Sequence, residues 1–306
     1  MPHVSIIIPV YNEARNVPVL VHSVLHTLAT TSYTYTIILV DDGSTDGTLE
    51  AIQLLAQENA KVKYISFSRN FGHQVALKAG LDAATGDCVI SMDGDMQHPT
   101  DLLLPMLAKY EQGYDVVYTI RQNANVTGLV KRKTSNLYYT LLNMLTDVPV
   151  ENGAADFRLL SRQVHDVLRN MPEQDLFFRG MVKWVGFKQI ALEYTPQPRA
   201  SGSTKYTFKK MFSLALNGIL AFSKKPLYLA AYLGILFSGL ALLYIPYIIY
   251  SLAYGHVISG WASVIATITF FGGVQLLLLG IIGIYIGRIF IQSKQRPTYI
   301  IKQSNL

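Results

Sequence analysis

Residues 35–57 read YTIILVDDGSTDGTLEAIQLLAQ. Tyr35 to Val40 form an apolar, β-branched run of strand length, closed by the polar Asp41-Asp42-Gly43-Ser44. From Leu49 the apolar residues recur at helical spacing. A buried strand that empties into a polar loop and then a helix is one unit of an α/β fold. The unit recurs on both sides. VSIIIPVYNE (4–13) is a strand closed by Pro9, followed by the helix NVPVLVHSVLHTL (16–28). KVKYISFS (61–68) is a strand, followed by the helix HQVALKAGLDAATG (73–86), capped by Gly86. DCVISMD (87–93) is a fourth strand and DVVYTIR (115–121) a fifth. Between them, PTDLLLPMLAKYEQG (99–113) reads as a helix with Pro99 near its start and Gly113 past its end. The pattern predicts a mainly parallel sheet with helices on both faces.

In such sheets ligands bind beyond the carboxyl ends of the strands. Asp41, Asp42, Asp93, Asp95 and Arg121 all fall at predicted strand ends. VISMDGDMQHP (89–99) places two carboxylates one residue apart. A solvated turn explains Asp-Gly-Asp as well as a cation site does. If the chain stays extended there, Asp93, Asp95 and Gln97 project to one side, as oxygen ligands of a hard ion such as Mg²⁺, which usually shares its shell with substrate phosphates. His98 reads as a surface or loop residue, because imidazole suits softer metals. No G-x-x-x-x-G-K-[ST] loop and no G-x-G-x-x-G after a strand occurs, which counts against kinase and dinucleotide-dehydrogenase readings.

Half of the 306 residues are hydrophobic and 15% are charged. The mean hydropathy is positive. The charge deficit is local: residues 226–286 contain no Asp, Glu, Lys or Arg. Two apolar runs, 226–252 and 261–286, are each long enough to span a bilayer, which needs about 20 residues. Lys224 and Lys225 precede the first, and Arg288, Lys294 and Arg296 follow the second. Basic flanks favour the cytosol. The expectation is a transmembrane helical hairpin with both termini cytosolic; the alternative is a buried hairpin of a soluble domain. Gly283 and Gly287 are spaced for a helix contact. KYTFKKMFSLALNGILAFSKK (205–225) reads as an amphipathic helix at the membrane surface, or as one docked on the soluble domain. The net charge of +6 fits anionic lipid better than nucleic acid, for which no motif is present. One cysteine, Cys88, allows no internal disulfide, and no secretory signal is evident at the start. The expected division is a cytosolic catalytic domain (1–198), a juxtamembrane segment (199–225) and a membrane region with a cytosolic tail (226–306).

IIIPVYNE, VDDGSTDGT, FSRNFG, MDGDMQHP, DFRLLSR and PRASGSTKY occur in one order along the chain. That ordered set resembles the family 2 glycosyltransferases. It is most similar to the polyprenyl-phosphate group, which includes dolichyl-phosphate mannose synthases and bactoprenol glucosyltransferases. The resemblance implies a GT-A (Rossmann-like) catalytic domain. It implies that Pro9, Tyr11, Glu13 and Asp42 hold the nucleotide, and that Asp93 lies near ribose and donor. Asp95 and Gln97 would ligate Mg²⁺ or Mn²⁺, and Arg121 would contact the donor diphosphate. Arg132, Arg199 and Lys205 would lie near the phosphates of donor or lipid acceptor, and Asp156 would occupy an acid/base position. RGMVKW (179–184) does not match the Q-x-x-R-W of processive family members, which argues for a single transfer.

Chemistry supports these roles. Cleaving a sugar–diphosphate bond builds negative charge that a divalent ion and Arg121 stabilise. Arg199 and Lys205 precede the membrane-surface segment, where a lipid head group would arrive, although Arg199 also reads as a solvated loop charge. A phosphate monoester has a second pKa of about 6, so the acceptor needs little deprotonation and Asp156 is expected mainly to orient. Phe177, Phe178, Met181 and Trp184 read as core, or as lining for the acceptor. The expected reaction is inverting transfer of one UDP-linked hexose to undecaprenyl phosphate at the bacterial cytoplasmic (inner) membrane. A flippase and a second glycosyltransferase would act downstream, for cell-envelope modification. The resemblance also allows a homotetramer. The alternatives are an enzyme making a diacylglycerol-type glycolipid and a non-catalytic membrane scaffold.

Overall fold

The computed structural model describes residues 2–121, 154–174, 176–195, 223–254 and 260–306. Arg132, Arg199 and Lys205 lie outside the described residues, as does the amphipathic segment before Ser223. The chain divides into two compact units. Of the described residues, the first carries those up to 195 and 296–306; the second carries 223–254 and 260–295.

The first unit is built on an eight-stranded sheet. In chain order its elements are β1 (His3–Val10), α1 (Asn16–Ala29), β2 (Thr34–Asp41), α2 (Thr48–Glu58), β3 (Val62–Phe67), α3 (His73–Ala83) and β4 (Cys88–Ser91). Then follow α4 (Leu103–Glu111), β5 (Val116–Arg121), β6 (Ala154–Ser161), α5 (Arg162–Arg169), α6 (Phe178–Trp184), β7 (Gln189–Tyr194) and, after the second unit, β8 (Ile301–Ser304). The sheet order is β7-β5-β6-β4-β1-β2-β3-β8. Strands β1, β2, β3 and β4 pair in parallel, as does β5 with β7. Strand β6 runs antiparallel between β4 and β5, and β8 runs antiparallel along β3. Six strands thus point one way, which agrees with a mainly parallel sheet, while β6 and β8 make it mixed.

Continuous apolar runs belong to strands buried on both faces. Ile6, Ile8, Leu39 and Ile90 are fully buried, with Val17, Leu20, Val24 and Leu28 of α1 in the same core. Burying one such side chain contributes about 1.5–3 kcal/mol. Two local expectations change. Helix α3 ends at Ala83 with Ala84 as its cap. Gly86 lies beyond, where a Cβ would sit 2.7 Å from Ser5 N and 2.8 Å from His3 O; it is a close-packing glycine, not a cap. The helix starting after Pro99 opens with a 3₁₀ turn, Thr100–Leu102, before α4.

β8 seals the edge of β3. Ile65 pairs with Ser304 and Ser66 with Gln303. Beyond the ladder, the Tyr64 N–H donates to Asn305 Oδ1 at 2.6 Å and Ser68 N–H to Ile300 O at 3.0 Å.

The second unit contains α7 (Lys225–Ala253) and α8 (Trp261–Ser293). Among the described residues, Ser263–Ser293 is long and apolar enough to cross a membrane, with a mean hydropathy of 2.1; Lys225–Leu240 is a shorter apolar piece. Phe237 of α7 meets Phe270 and Phe271 of α8 edge-on, at 5.7 and 5.5 Å between ring centres. A Cβ at Gly283 or Gly287 would meet nothing within 4 Å, so the predicted small-residue contact is not made among the described residues.

Candidate active site

Strands β1, β2, β4 and β5 all end at one rim, and the loops that leave them are tightly fitted. A Cβ on Gly94 would sit 2.6 Å from Val10 Cγ1, and one on Gly43 would sit 2.4 Å from Arg69 C. Only glycine admits these approaches, and Gly43 also has φ +68°.

A cleft of about 200 Å³ opens at this rim, lined by Pro9, Val10, Tyr11, Asp42, Asn70, Gly72, His73 and Ala76. Pro9, Tyr11 and Asp42 thus line one cleft. The Asp42 carboxylate accepts the Phe71 N–H at 2.7 Å and the Gly72 N–H at 2.9 Å, pinning the loop that starts α3. Burial raises its pKa, against the lowering effect of those N–H groups. Glu13 stands apart from the cleft lining. Its carboxylate accepts from Asn16 Nδ2 at 2.5 Å and its carbonyl accepts from Asn16 N and Val17 N, so it organises the start of α1.

The direction of β6 brings Asp156 to the same rim. Ser91 pairs with Arg158 in antiparallel register. Two residues outward on each strand, Asp93 and Asp156 therefore fall level, and Ser91 Oγ donates to Asp156 O at 2.6 Å. His73 Nε2 lies 3.3 Å from Asp93 Oδ1 and 3.8 Å from Asp156 Oδ2. Arg179 of α6 grips Asp156 with both arms, Nε to Oδ1 and Nη2 to Oδ2, each at 3.0 Å. Arg158 Nη2 adds a contact of 3.3 Å to Oδ1. Burial alone would raise the Asp156 pKa, but Arg179 and then Arg158 hold it well below the usual carboxylate range. The group is a fixed anion.

The turn after β4 is not extended. Met96 has φ +63°, and Asp95 Oδ1 accepts the Gln97 N–H at 3.1 Å. Gln97 is buried, with its Oε1 accepting from Arg121 Nη2. His98 is buried too, correcting the surface reading. Its ring stacks on Phe157 at 5.0 Å, and its Nδ1 accepts the Asp93 N–H at 3.2 Å. Burial lowers its pKa, against the raising effect of Asp93. Arg121 ends β5 level with Tyr194 of β7.

Among the described residues no group of three or more His, Cys, Asp or Glu converges as a metal cage. The donors at the turn are oxygens, one carboxylate and one amide. That set fits a hard ion completing its shell with diphosphate and water, and does not fit a soft-metal site.

His73, Arg158, Arg179 and Gln74, whose Oε1 accepts the Phe178 N–H at 3.1 Å and whose Nε2 reaches Asp156 Oδ2 at 3.5 Å, belong to the site, but only Arg158 lies inside a motif that the sequence singled out for function. Arg179 interrupts the apolar run LFFRGMV, which was the available signal. Around it, Phe178 and Met181 are core, whereas Trp184 is exposed.

The sequence model of glycosyl transferase family 2 matches residues 5–169. The chain is 42% identical over 301 residues to the uncharacterized glycosyltransferase YkcC of Bacillus subtilis, covering 98% of this chain and 93% of that protein. It is 39% identical over 300 residues to the bactoprenol glucosyl transferase of Shigella phage SfV, covering 98% of each. Among solved structures, the mannosyltransferase PcManGT from Pyrobaculum calidifontis, in complex with GDP-Man and Mn²⁺, aligns at a TM-score of 0.50 and 18% identity, over 96% of this chain and 84% of that one. That likeness speaks to the fold alone. The matched region takes in β1 from Ser5 on, β2 to β6 and the acidic rim, and the chain belongs to glycosyltransferase family 2.

Proposed function

We propose that the chain is a membrane-bound transferase that moves one hexose from a UDP-sugar to undecaprenyl phosphate. The observation that carries this reading is the likeness to a bactoprenol glucosyl transferase over 98% of both chains, apolar helices included. The rim supplies chemistry of the right kind. An oxygen of the acceptor phosphate attacks the anomeric carbon and forms the new C–O bond. The bond from that carbon to the nucleoside diphosphate breaks, inverting an α-linked donor to a β-linked product. The acceptor is largely dianionic near neutral pH, so no strong base is required. Asp156, a fixed anion, is a poor general base by the matching of pKa to working pH. It orients the reacting groups instead, through Arg179 and His73. Arg121 balances charge on the departing diphosphate, while Pro9, Tyr11 and Asp42 shape the nucleotide cleft and Asp93 faces the donor. When bound at Asp95 and Gln97, Mg²⁺ or Mn²⁺ supplies Lewis-acid stabilisation of the same diphosphate.

The second unit is read as a transmembrane hairpin made by α7 and α8. Its support is the apolar surface that both helices expose, with Leu236, Ile249, Leu276 and Ile284 each about half exposed or more, and the basic residues flanking them. Arg132, Arg199 and Lys205 would receive the lipid phosphate on the cytosolic side of the inner membrane. A flippase and a second transferase would then use the product.

A transfer assay tests the reading. Purified protein, undecaprenyl phosphate, Mg²⁺ or Mn²⁺ and a panel of labelled UDP- and GDP-sugars should give an acid-labile labelled lipid, lost on chelation and in Asp95→Ala. Acid-stable product would point to a diacylglycerol-type acceptor. No transfer from any donor would sink the proposal.

A further inference from the structure

The segment that follows α8 returns to the first unit and reaches the wall of the donor cleft. Tyr299 stacks on Phe67, with ring centres 5.2 Å apart and planes 20° from parallel. Phe67 in turn meets Phe71 edge-on at 5.6 Å. Phe71 belongs to the 68–72 loop, whose Asn70 and Gly72 line the cleft. The loop is held from two sides. From the loop that leaves β2, the Asp42 carboxylate takes the N–H groups of Phe71 and Gly72, and Gly43 packs directly against Arg69 and Asn70. From the returning segment, Ile300 O accepts the Ser68 N–H at 3.0 Å, and Tyr299 backs the aromatic pair. The Tyr299 hydroxyl also donates to Asp82 Oδ2 of α3 at 3.1 Å. Asp82 holds Lys78, whose Nζ donates to Arg169 O at 2.8 Å. Tyr299 therefore braces both the loop and the helix that presents His73 at its first turn.

We propose that Tyr299 is a positioning residue for donor binding, acting through Phe67 and Phe71 on the 68–72 loop. The inference rests on reading the cleft as the nucleotide site. Aromatic pairs of this kind carry enough energy for a several-fold effect, and the loop is the path by which that energy reaches the nucleotide. A residue that served stability alone would change the active fraction and the melting temperature, not the affinity for the donor.

The test uses the full-length protein in detergent or nanodiscs, with UDP and GDP as titrants and steady-state transfer as the second readout. Wild type, Tyr299→Phe, Tyr299→Leu and Tyr299→Ala are compared. Expected are about three- to tenfold weaker nucleotide binding and an equally raised donor KM in the Leu and Ala variants. Their kcat and acceptor KM should stay within about twofold, and Tyr299→Phe, which keeps the stack, should stay within about twofold throughout. If the Ala variant does not fold, the Leu variant, which keeps apolar volume, decides alone. Unchanged nucleotide affinity in a folded Leu or Ala variant overturns the positioning role. Failure of the wild type to bind either nucleotide overturns the cleft assignment itself, and with it this inference.

Discussion

Asp156→Asn separates orientation from proton transfer. Asp156 is 6% exposed and Arg158 is 4% exposed, so the substitution leaves a buried cation with only a neutral partner. Breaking a buried pair from one side costs about 3–5 kcal/mol. The Arg179 side chain is 29% exposed and can turn toward water, so the lower end applies, about 3 kcal/mol. In a domain of this size that is a drop in melting temperature of about 6–12 °C. The pH dependence has a definite sign. The folded-state pKa of Asp156 lies below its unfolded value of about 3.9. Its stabilisation is therefore present above about pH 4 and lost as pH falls through the folded pKa. The gap between wild type and variant should be flat from about pH 5 to 8 and narrow only in stronger acid. For transfer, misplaced reacting groups cost about a hundredfold in kcat, and that loss should be constant from about pH 6 to 9. Thermal unfolding across pH and initial rates with undecaprenyl phosphate measure both. A small rate loss that vanishes as pH climbs past the acceptor's second pKa would refute the reasoning, because it would show Asp156 taking a proton from the monoanion.

Arg121→Ala should lower kcat about 10²–10³-fold, and Arg121→Lys should recover only part, since the planar fork that meets Gln97 is lost; equal rates for Lys and Arg would count against a diphosphate contact. Gly43→Ala forces a Cβ to 2.4 Å from Arg69 C at φ +68°. It should cost about 1–3 kcal/mol and raise donor KM, checked by melting and by saturation curves. Burial pushes the Cys88 thiol up to about 12, so it should resist alkylation at pH 8 until the protein unfolds; rapid labelling of folded protein would contradict its place in β4.

Much of the first unit is written plainly in the chain. Buried strands announce themselves as apolar runs, and their ends, at Asp41 and Arg121, carry the polar residues that face the rim. Register is less visible. Nothing in DFRLLSR says that β6 inserts backwards between β4 and β5, because a strand's period is the same in either direction. Yet that reversal is what sets Asp156 level with Asp93. The burial of His98 is not legible locally, because it depends on Phe157, a partner distant in sequence. The turn at Asp95 is hidden too, because Met96 is not a residue whose identity signals a left-handed conformation. Arg179 escaped because its carboxylate partner is 23 positions away. The strand β8, four residues of mixed polarity, has no periodic signature long enough to notice.

That last strand has a bearing on synthesis. Asn305 closes on Tyr64 across 241 positions, and both long apolar helices emerge from the ribosome in between. At about 5–20 residues per second, the border of β3 stays bare for about 12–48 s after it is made. An unpaired strand border is a template for unwanted pairing, so the nascent chain carries that hazard until β8 emerges. Completion of the sheet is thus a late checkpoint, reached only after the apolar segments have left the ribosome.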